Sequence, residues 1–576
     1  MKRLATLLVV VAVLASFVAA CGAPTPEVVE KEVVVEKPVI QTVVVEKKVV
    51  ETVEVVVEPT PIPEPKTLRI IKMEPNVGLD PAIASTALSM EVLALLHDTL
   101  VEYDENWQPI PWVAESWETN EDKSEWTFHI RDGLAFSDGS PITAEDVKFS
   151  FEYLAERPVF QGRLEVLESI ELPDPMTVVL KLTRPVPEFL QLPAQNLGWW
   201  IFSQEACSGG KCGDFTVAGI VTSGPWYLKE YILKDHMTLE KNPYYGFEGL
   251  PKFDRVLFTW TGDRTAAVAA VEAGQADFTQ PVNAPDAGRL KDNPNVKFFE
   301  GQRIDQFRGW GFDKNRPPLN DKRVRQALGY AVEPDEITET CWYGFSSSLW
   351  GSMFYQADVE WCPLLCREPW KGKTRDERLA LADELLTEAG WEDRDGDGIR
   401  ESYGIEGVPD GTPLSVTAMY EKPWVQSECQ ALLCQDYWKD IGFDLQLQGL
   451  PKTNYWPDVR AGKFEMWHIG IGSSPLPWEK LHAFFHTEGS GYWAVVHSFE
   501  ESDYMDAAIE EIQAEQDFEK KKQLMSDFVD YLVDQQLVVA TGSQNSLQAG
   551  NGKMEGFYGL WNGSMRPLTW SDIPGR

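Results

Sequence analysis

Between Ala23 and Lys66 the chain carries no aromatic and no leucine side chain. The blocks Val33-Val34-Val35-Glu36-Lys37, Val43-Val44-Val45-Glu46-Lys47 and Val55-Val56-Val57-Glu58 recur there between proline-containing ends. Such a segment has nothing with which to close a hydrophobic core, so every globular domain must lie after it. It reads as a stalk, disordered or transiently helical. Because valine blocks also favour β structure, self-association through residues 27–58 is the rival reading, that of a stalked surface adhesion protein.

Ahead of the stalk, Lys2 and Arg3 precede an uncharged apolar run of seventeen residues, Leu4 to Ala20, the layout of a secretory signal. It ends in Val18-Ala19-Ala20-Cys21, which resembles a bacterial lipobox. The resemblance implies cleavage before Cys21, a diacylglycerol on its thiol, and attachment to the outer face of the cell membrane. A plain cleaved signal or a retained anchor is the alternative; the run is short of the ~20 residues that a spanning helix needs.

At 576 residues the chain is too long for a single core. A formal net charge of -38 excludes nucleic acid as an expected partner, because phosphate binding needs clustered Lys and Arg. Of the eight cysteines, Cys21 is reserved for lipid, and the remaining seven cannot all pair within one chain. Cys207 and Cys212 bracket the flexible Ser208-Gly209-Gly210-Lys211 and are the favoured disulfide. Cys362 with Cys366 and Cys429 with Cys434 are weaker candidates, which leaves Cys341 as the expected free thiol. A four-cysteine zinc site is the rival; no C-x2-C pair supports it.

From Thr67 onward, strand and helix patterns alternate. Leu68-Arg69-Ile70-Ile71, Trp126 to Ile130 and Thr177 to Leu182 read as strands, whereas Arg264 to Ala273, Asp321 to Val332, Asp376 to Ala389 and Asp517 to Val533 carry apolar residues at helical spacing. Asp321 and Asp376 stand where N-caps are expected, and Gly390 where a helix stops. The mixture indicates an α/β protein.

Three runs are more specific: Ala114-Glu115-Ser116-Trp117, then Trp126 to Gly133, then Phe136-Ser137-Asp138-Gly139-Ser140-Pro141-Ile142-Thr143-Ala144-Glu145-Asp146-Val147. Together they resemble the signature of the family 5 extracellular solute-binding proteins, which serve ABC importers for oligopeptides, dipeptides, nickel and oligosaccharides. Leu79-Asp80-Pro81, Ser223 to Leu228, Asn242-Pro243-Tyr244-Tyr245 and Pro318 to Leu328 follow in the family's order. Read locally, these runs are mostly structural: Asp132-Gly133 and Asp138-Gly139 are turn dipeptides, and Thr143 with Glu145 and Asp146 begins a helix.

The resemblance implies a two-lobed α/β fold of the periplasmic-binding-protein type (type II), with an extra subdomain inserted in the first lobe. Lobe I is then 67–98, 200–303 and 540–576, the insert 99–199 and lobe II 304–539. It implies a monomer that holds a small ligand between its lobes and delivers it to permease subunits.

For the ligand, the chain holds twenty-two tryptophans. By resemblance, Trp199, Trp200, Trp310, Trp424, Trp467 and Trp478 approach the cleft, and as a set they favour flat apolar faces such as sugar rings or peptide side chains. Peptide-binding members place an aspartate four residues before a proline to meet the peptide's ammonium. Here Ser473 stands four before Pro477, and no acid occurs between Glu465 and Glu479. The expectation leans to an oligosaccharide over an oligopeptide.

Asp393, Asp395 and Asp397 with Gly396, the Ile399 carbonyl and Glu401 match the first half of a calcium loop. Gly404 occupies the position where such loops end on an acid, and a solvated acidic turn is the alternative. His482 and His486, four apart, lack an identified third ligand. No G-x-S-x-G, H-E-x-x-H, Walker A or G-x-G-x-x-G run is present, so a binding protein is expected over a secreted hydrolase.

Overall fold

The chain divides into Met1–Glu64 and Pro65–Arg576. A computed structural model describes residues 64–574 apart from 74–78, 80–86, 107, 157–163, 165, 187–188, 196–198, 208–219, 302–305, 352, 355–364, 423, 473–476, 490–501, 516 and 560–564. Cys21, the signal, the stalk up to residue 63, Cys212 and Ser473 lie outside the described residues. No helix among the described residues is long and apolar enough to cross a membrane.

The second unit is built on two sheets. The first has seven strands in the order Val296–Gly301, Ser546–Asn551, Phe278–Thr279, Thr67–Lys72, Arg255–Trp260, His236–Lys241 and Trp226–Ile232. Its opening strand alternates strictly, with Leu68, Ile70 and Lys72 on the buried side, the period-2 pattern of a strand covered on one face. The second sheet has six strands, Ser346–Ser348, Val538–Gln544, Gln306–Phe312, Met466–Gly472, Ser415–Lys422 and Asp444–Pro451. A four-stranded antiparallel sheet, from Ala114–Thr119 to Leu167–Asp174, carries the signature runs. Trp126, Phe128 and Ile130 point into its core with Val178 and Leu180.

The chain leaves the first sheet at Gly301, enters the second at Gln306, and returns between Gln544 and Ser546. Val538–Gln544 hydrogen-bonds to Gln306–Phe312. The return therefore falls at Asn545, several residues beyond the boundary at 539–540 expected from sequence.

Helix starts follow local chemistry. Asp321 accepts from the Arg323 backbone N–H at 2.9 Å and Asp517 from that of Lys520 at 2.9 Å. Asp376 is not a cap: Thr374 holds that place, because its backbone N–H donates to Glu377 Oε2 at 2.8 Å while its hydroxyl accepts from the Glu377 N–H. Gly390, at φ +88°, ends that helix in the left-handed region.

The cysteine pairing corrects the sequence reading. Cys341 is bonded to Cys429 with Cα atoms 5.7 Å apart, joining helix Pro334–Trp342 to helix Val425–Lys439, and among the described residues Cys434 is the buried free thiol. Cys429 and Cys434 are five apart on one helix, which turns their side chains roughly 140° away from each other. Cys207 and Cys366 are also disulfide-bonded.

One apolar cluster fills the first lobe and its insert and continues onto one face of the second sheet through Phe307, Met419, Trp467 and Ile469. A second cluster fills the opposite face, beneath the helices Lys322–Ala331, Arg375–Glu388 and Val425–Lys439.

Candidate ligand cleft

Strand direction locates the site. In the first sheet Thr67–Lys72 runs parallel to Arg255–Trp260 and Phe278–Thr279, and Val296–Gly301 has the same sense because both it and Phe278–Thr279 are antiparallel to Ser546–Asn551. In the second, Ser415–Lys422 is parallel to Asp444–Pro451 and Met466–Gly472. Val538–Gln544 shares that direction, since it and Met466–Gly472 both oppose Gln306–Phe312. The carboxyl edge of the first sheet thus ends at Lys72, Trp260 and Gly301, and that of the second at Lys422, Gly472 and Gln544. Both edges are where the chain crosses between sheets. Open α/β sheets bind ligands at this edge, because loops and helix N-termini gather there.

On the second lobe the edge is organised around Arg308. Its guanidinium donates to Gln544 Oε1 at 2.8 Å and lies 4.5 Å from the Trp424 ring centroid. It crosses Gly470, its register partner, where a Cβ would meet Nη1 at 1.8 Å. Behind it, the buried His468 ring meets the Ser427 hydroxyl at 2.9 Å and packs against Trp310 and Trp424. Burial, reinforced by the Arg308 charge, lowers the His468 pKa to about 3 and keeps the ring neutral.

The six singled-out tryptophans are not one surface. Trp199 packs edge-on to Phe151 and Phe189 in the insert, and Trp200 is fully buried beside it. Trp310 donates its indole N–H to Cys434 Sγ at 3.2 Å inside the second lobe. Trp467 sits among Tyr455, Trp456 and Phe464, while Trp478 is buried with the Lys521 ammonium over its ring. Trp424 alone of the six is half-buried, at the carboxyl edge. Arg308 went unnoticed in the sequence; its one signal was a glycine-flanked aromatic run, Phe307 to Phe312, directly after the crossing.

The Asp393 loop lies at the other end of the second lobe. Strand Trp391–Glu392 pairs with Glu401–Ser402, Glu392 opposite Glu401, so Asp393 leaves the pair beside Glu401. Carboxylate oxygens of Asp393, Asp395, Asp397 and Glu401 lie within 4.8 Å of one another. Asp393 accepts from the Gly396 and Gly398 N–H groups at 2.8 and 3.1 Å, and the Ile399 N–H donates to Asp397 at 2.8 Å. Gly396 and Gly398 take φ of +82° and +92°, which sharpen the turn. Arg394 is drawn off toward Glu392 and the Tyr403 ring, leaving the carboxylates unneutralised by it. Leu414 and Asp444, at the amino ends of two parallel strands, tie this loop to the edge opposite the cleft. His482 and His486 stack at 4.5 Å, with Asp506 and Glu510 at 3.9 and 3.6 Å from the His486 nitrogens.

The family model for "Bacterial extracellular solute-binding proteins, family 5 Middle" matches residues 108–492. The chain belongs to this family. As a family 5 protein it is a solute-binding component of ABC importers, and its two-lobed fold is that of its structural neighbours. The periplasmic murein peptide-binding protein MppA of Escherichia coli is 24% identical over 422 residues, covering 69% of this chain and 73% of MppA. A putative ABC transporter peptide-binding protein of Brucella ovis is 27% identical over 404 residues, covering 67% and 70%. Among solved structures, NikA from Brucella suis in complex with Fe(III)-EDTA superposes with a TM-score of 0.74 at 21% identity, covering 88% of this chain and 99% of NikA. The oligopeptide-binding protein AppA from Bacillus subtilis, in complex with a nonapeptide, gives 0.69 at 20% identity over 88% and 100%.

Proposed function

We propose that this family 5 protein is a lipid-anchored monomer, held to the outer face of the cell membrane through Cys21, that captures a short peptide-like solute between its lobes and presents it to importer permease subunits. It performs no chemistry on that solute. The observation that carries the reading is the turning of both carboxyl edges toward the two crossovers, Gly301 to Gln306 and Gln544 to Ser546. A ligand that touches both edges only in a closed state shifts the open–closed equilibrium by its differential affinity. Saturating ligand should therefore reduce the radius of gyration in small-angle scattering. An unchanged radius, or the appearance of hydrolysis products, would refute the reading.

The sequence leans toward an oligosaccharide because Ser473 replaces the acid that meets a peptide ammonium, and because tryptophans are abundant. With Trp199, Trp200, Trp310 and Trp467 at or below 1% exposure, the stacking argument contracts to Trp424. Peptide-binding proteins among the relatives favour a peptide-like solute. The oligosaccharide stands as second reading, supported by the half-buried Trp424 face. A thermal-shift screen of neutral oligosaccharides against di- to pentapeptides decides between them.

A structural calcium ion is proposed at the Asp393 loop. Four converging carboxylates and two left-handed glycines support it. The Ile399 carbonyl is its backbone ligand. The ion is assigned a stabilising role only, since the loop is tied to the edge away from the cleft.

A further inference from the structure

The return from the second sheet to the first is made by a single residue. Strand Val538–Gln544 ends at Gln544, strand Ser546–Asn551 begins at Ser546, and Asn545 lies between them. A change of angle between the sheets therefore turns on the backbone of Asn545 and on that of the outward crossing, Gly301 to Gln306.

Two side-chain bonds bracket this pivot, and they differ in what they join. Arg308 donates to Gln544 Oε1 at 2.8 Å, and both residues stand on neighbouring strands of the second sheet, so that bond travels with the second lobe. Asn545 Nδ2 donates to Glu300 Oε1 at 2.6 Å. Glu300 is fixed in the first sheet by its register with Leu547. The Asn545–Glu300 bond thus ties the pivot residue to one lobe, and a swing of the other lobe pulls on it directly.

Asn545 is unsatisfied at its other end. It is 6% exposed, and its Oδ1 is out of contact with solvent and has no hydrogen-bond donor among the described residues. Ser346 Oγ, on the register partner of Gln544, and Gln548 Oε1, three residues beyond Asn545, are bare in the same way. Buried polar atoms are nearly always paired, and each exception costs free energy in the conformation that holds it. Three such atoms around one crossing penalise this lobe angle relative to any that supplies them with partners.

We infer that Asn545 and Glu300 form a hinge clasp. Their charge-assisted bond holds the lobe angle of this structure against the penalty of the bare Asn545 Oδ1, and its release lets the lobes turn to a second angle. The pair sets how the two angles are populated without touching the solute. The role rests on the reading of two lobes that close on a ligand, and adds the residues that govern the closing.

The test uses the full chain without added solute. Spin labels are placed at Leu233→Cys and Asp376→Cys, exposed positions in the first and second lobes, and pulsed electron resonance gives the distance distribution between them. Asn545→Asp sets a second carboxylate against Glu300 and should shift the ratio of the two populations about ten-fold, the worth of one charge-assisted hydrogen bond. Combining it with Glu300→Gln restores a donor and an acceptor in reversed order, and the natural distribution should return. Glu300→Gln alone should shift the ratio in the same direction by less, and it carries the test if Asn545→Asp does not fold. A distribution unchanged in both single variants, or a shift that the double variant does not reverse, would overturn the clasp. A pool of di- to pentapeptides and a set of neutral oligosaccharides, added to the natural chain, test the receptor reading separately. If neither moves the natural distribution, that reading fails, while a reversible shift in the variants leaves the clasp standing.

Discussion

Arg308 lies across Gly470, the residue that it faces in strand register, and a Cβ at Gly470 would come within 1.8 Å of the guanidinium Nη1. The glycine is what lets a long cation run flat along the sheet to reach Gln544 and the Trp424 ring.

Gly470→Ala should therefore push the guanidinium off this path. Overpacking of this kind costs about 1–3 kcal/mol, which urea unfolding would measure. Ligand affinity should fall with it, since Arg308 sits at the carboxyl edge. A variant with unaltered stability and unaltered binding would show that the guanidinium position is irrelevant to the site.

The Cys341–Cys429 bond ties two helices of the second lobe across 88 residues of chain. Replacing both cysteines by serine should cost about 2–4 kcal/mol through the freer unfolded chain. Cys434 behaves differently: burial raises its thiol pKa to about 12, and its sulfur accepts from Trp310. Thiol reagents should label it only under denaturing conditions. Rapid labelling of the native protein would contradict the pairing.

Two buried imidazoles set an acid limit. Burial lowers His97 and His468 to about 3 from an ordinary value of 6.5. Between those values the unfolded chain takes up a proton at each site that the folded chain refuses, so stability falls as pH drops from about 6.5 toward 3. Each site contributes a slope of up to about 1.4 kcal/mol per pH unit. Chemical denaturation from pH 7 to pH 4 should show it, and His468→Gln should flatten part of the slope. A stability profile level across this range would refute the burial-driven shift.

Calcium at one hundred times its dissociation constant should stabilise the protein by about 2.7 kcal/mol. EDTA should reverse this, and Asp393→Ala with Asp395→Ala should abolish the response. Ligand binding should survive, because strands of eight residues, about 26 Å long, separate the two ends of the second sheet. An identical melting temperature in calcium and EDTA would assign the loop as an acidic turn.

What the sequence alone determined is local or family-wide. Alternation in Leu68 to Ile71 and Trp126 to Ile130, and the cap Asp321, are fixed by neighbours within a few residues, and the structure places strands and a helix start there. The family signature was likewise legible, since turn glycines and capping residues must stand at set offsets. Tertiary structure decided the rest. Cys341 found Cys429 rather than remaining free because two helices distant in sequence pack side by side. Tryptophans counted as ligand platforms became core because a large apolar side chain goes wherever the packed sheets bury most of its surface. The charge at the cleft edge was invisible for the same reason: Arg308 becomes a neighbour of Gly470 and Gln544 only when strands more than a hundred residues apart pair in register.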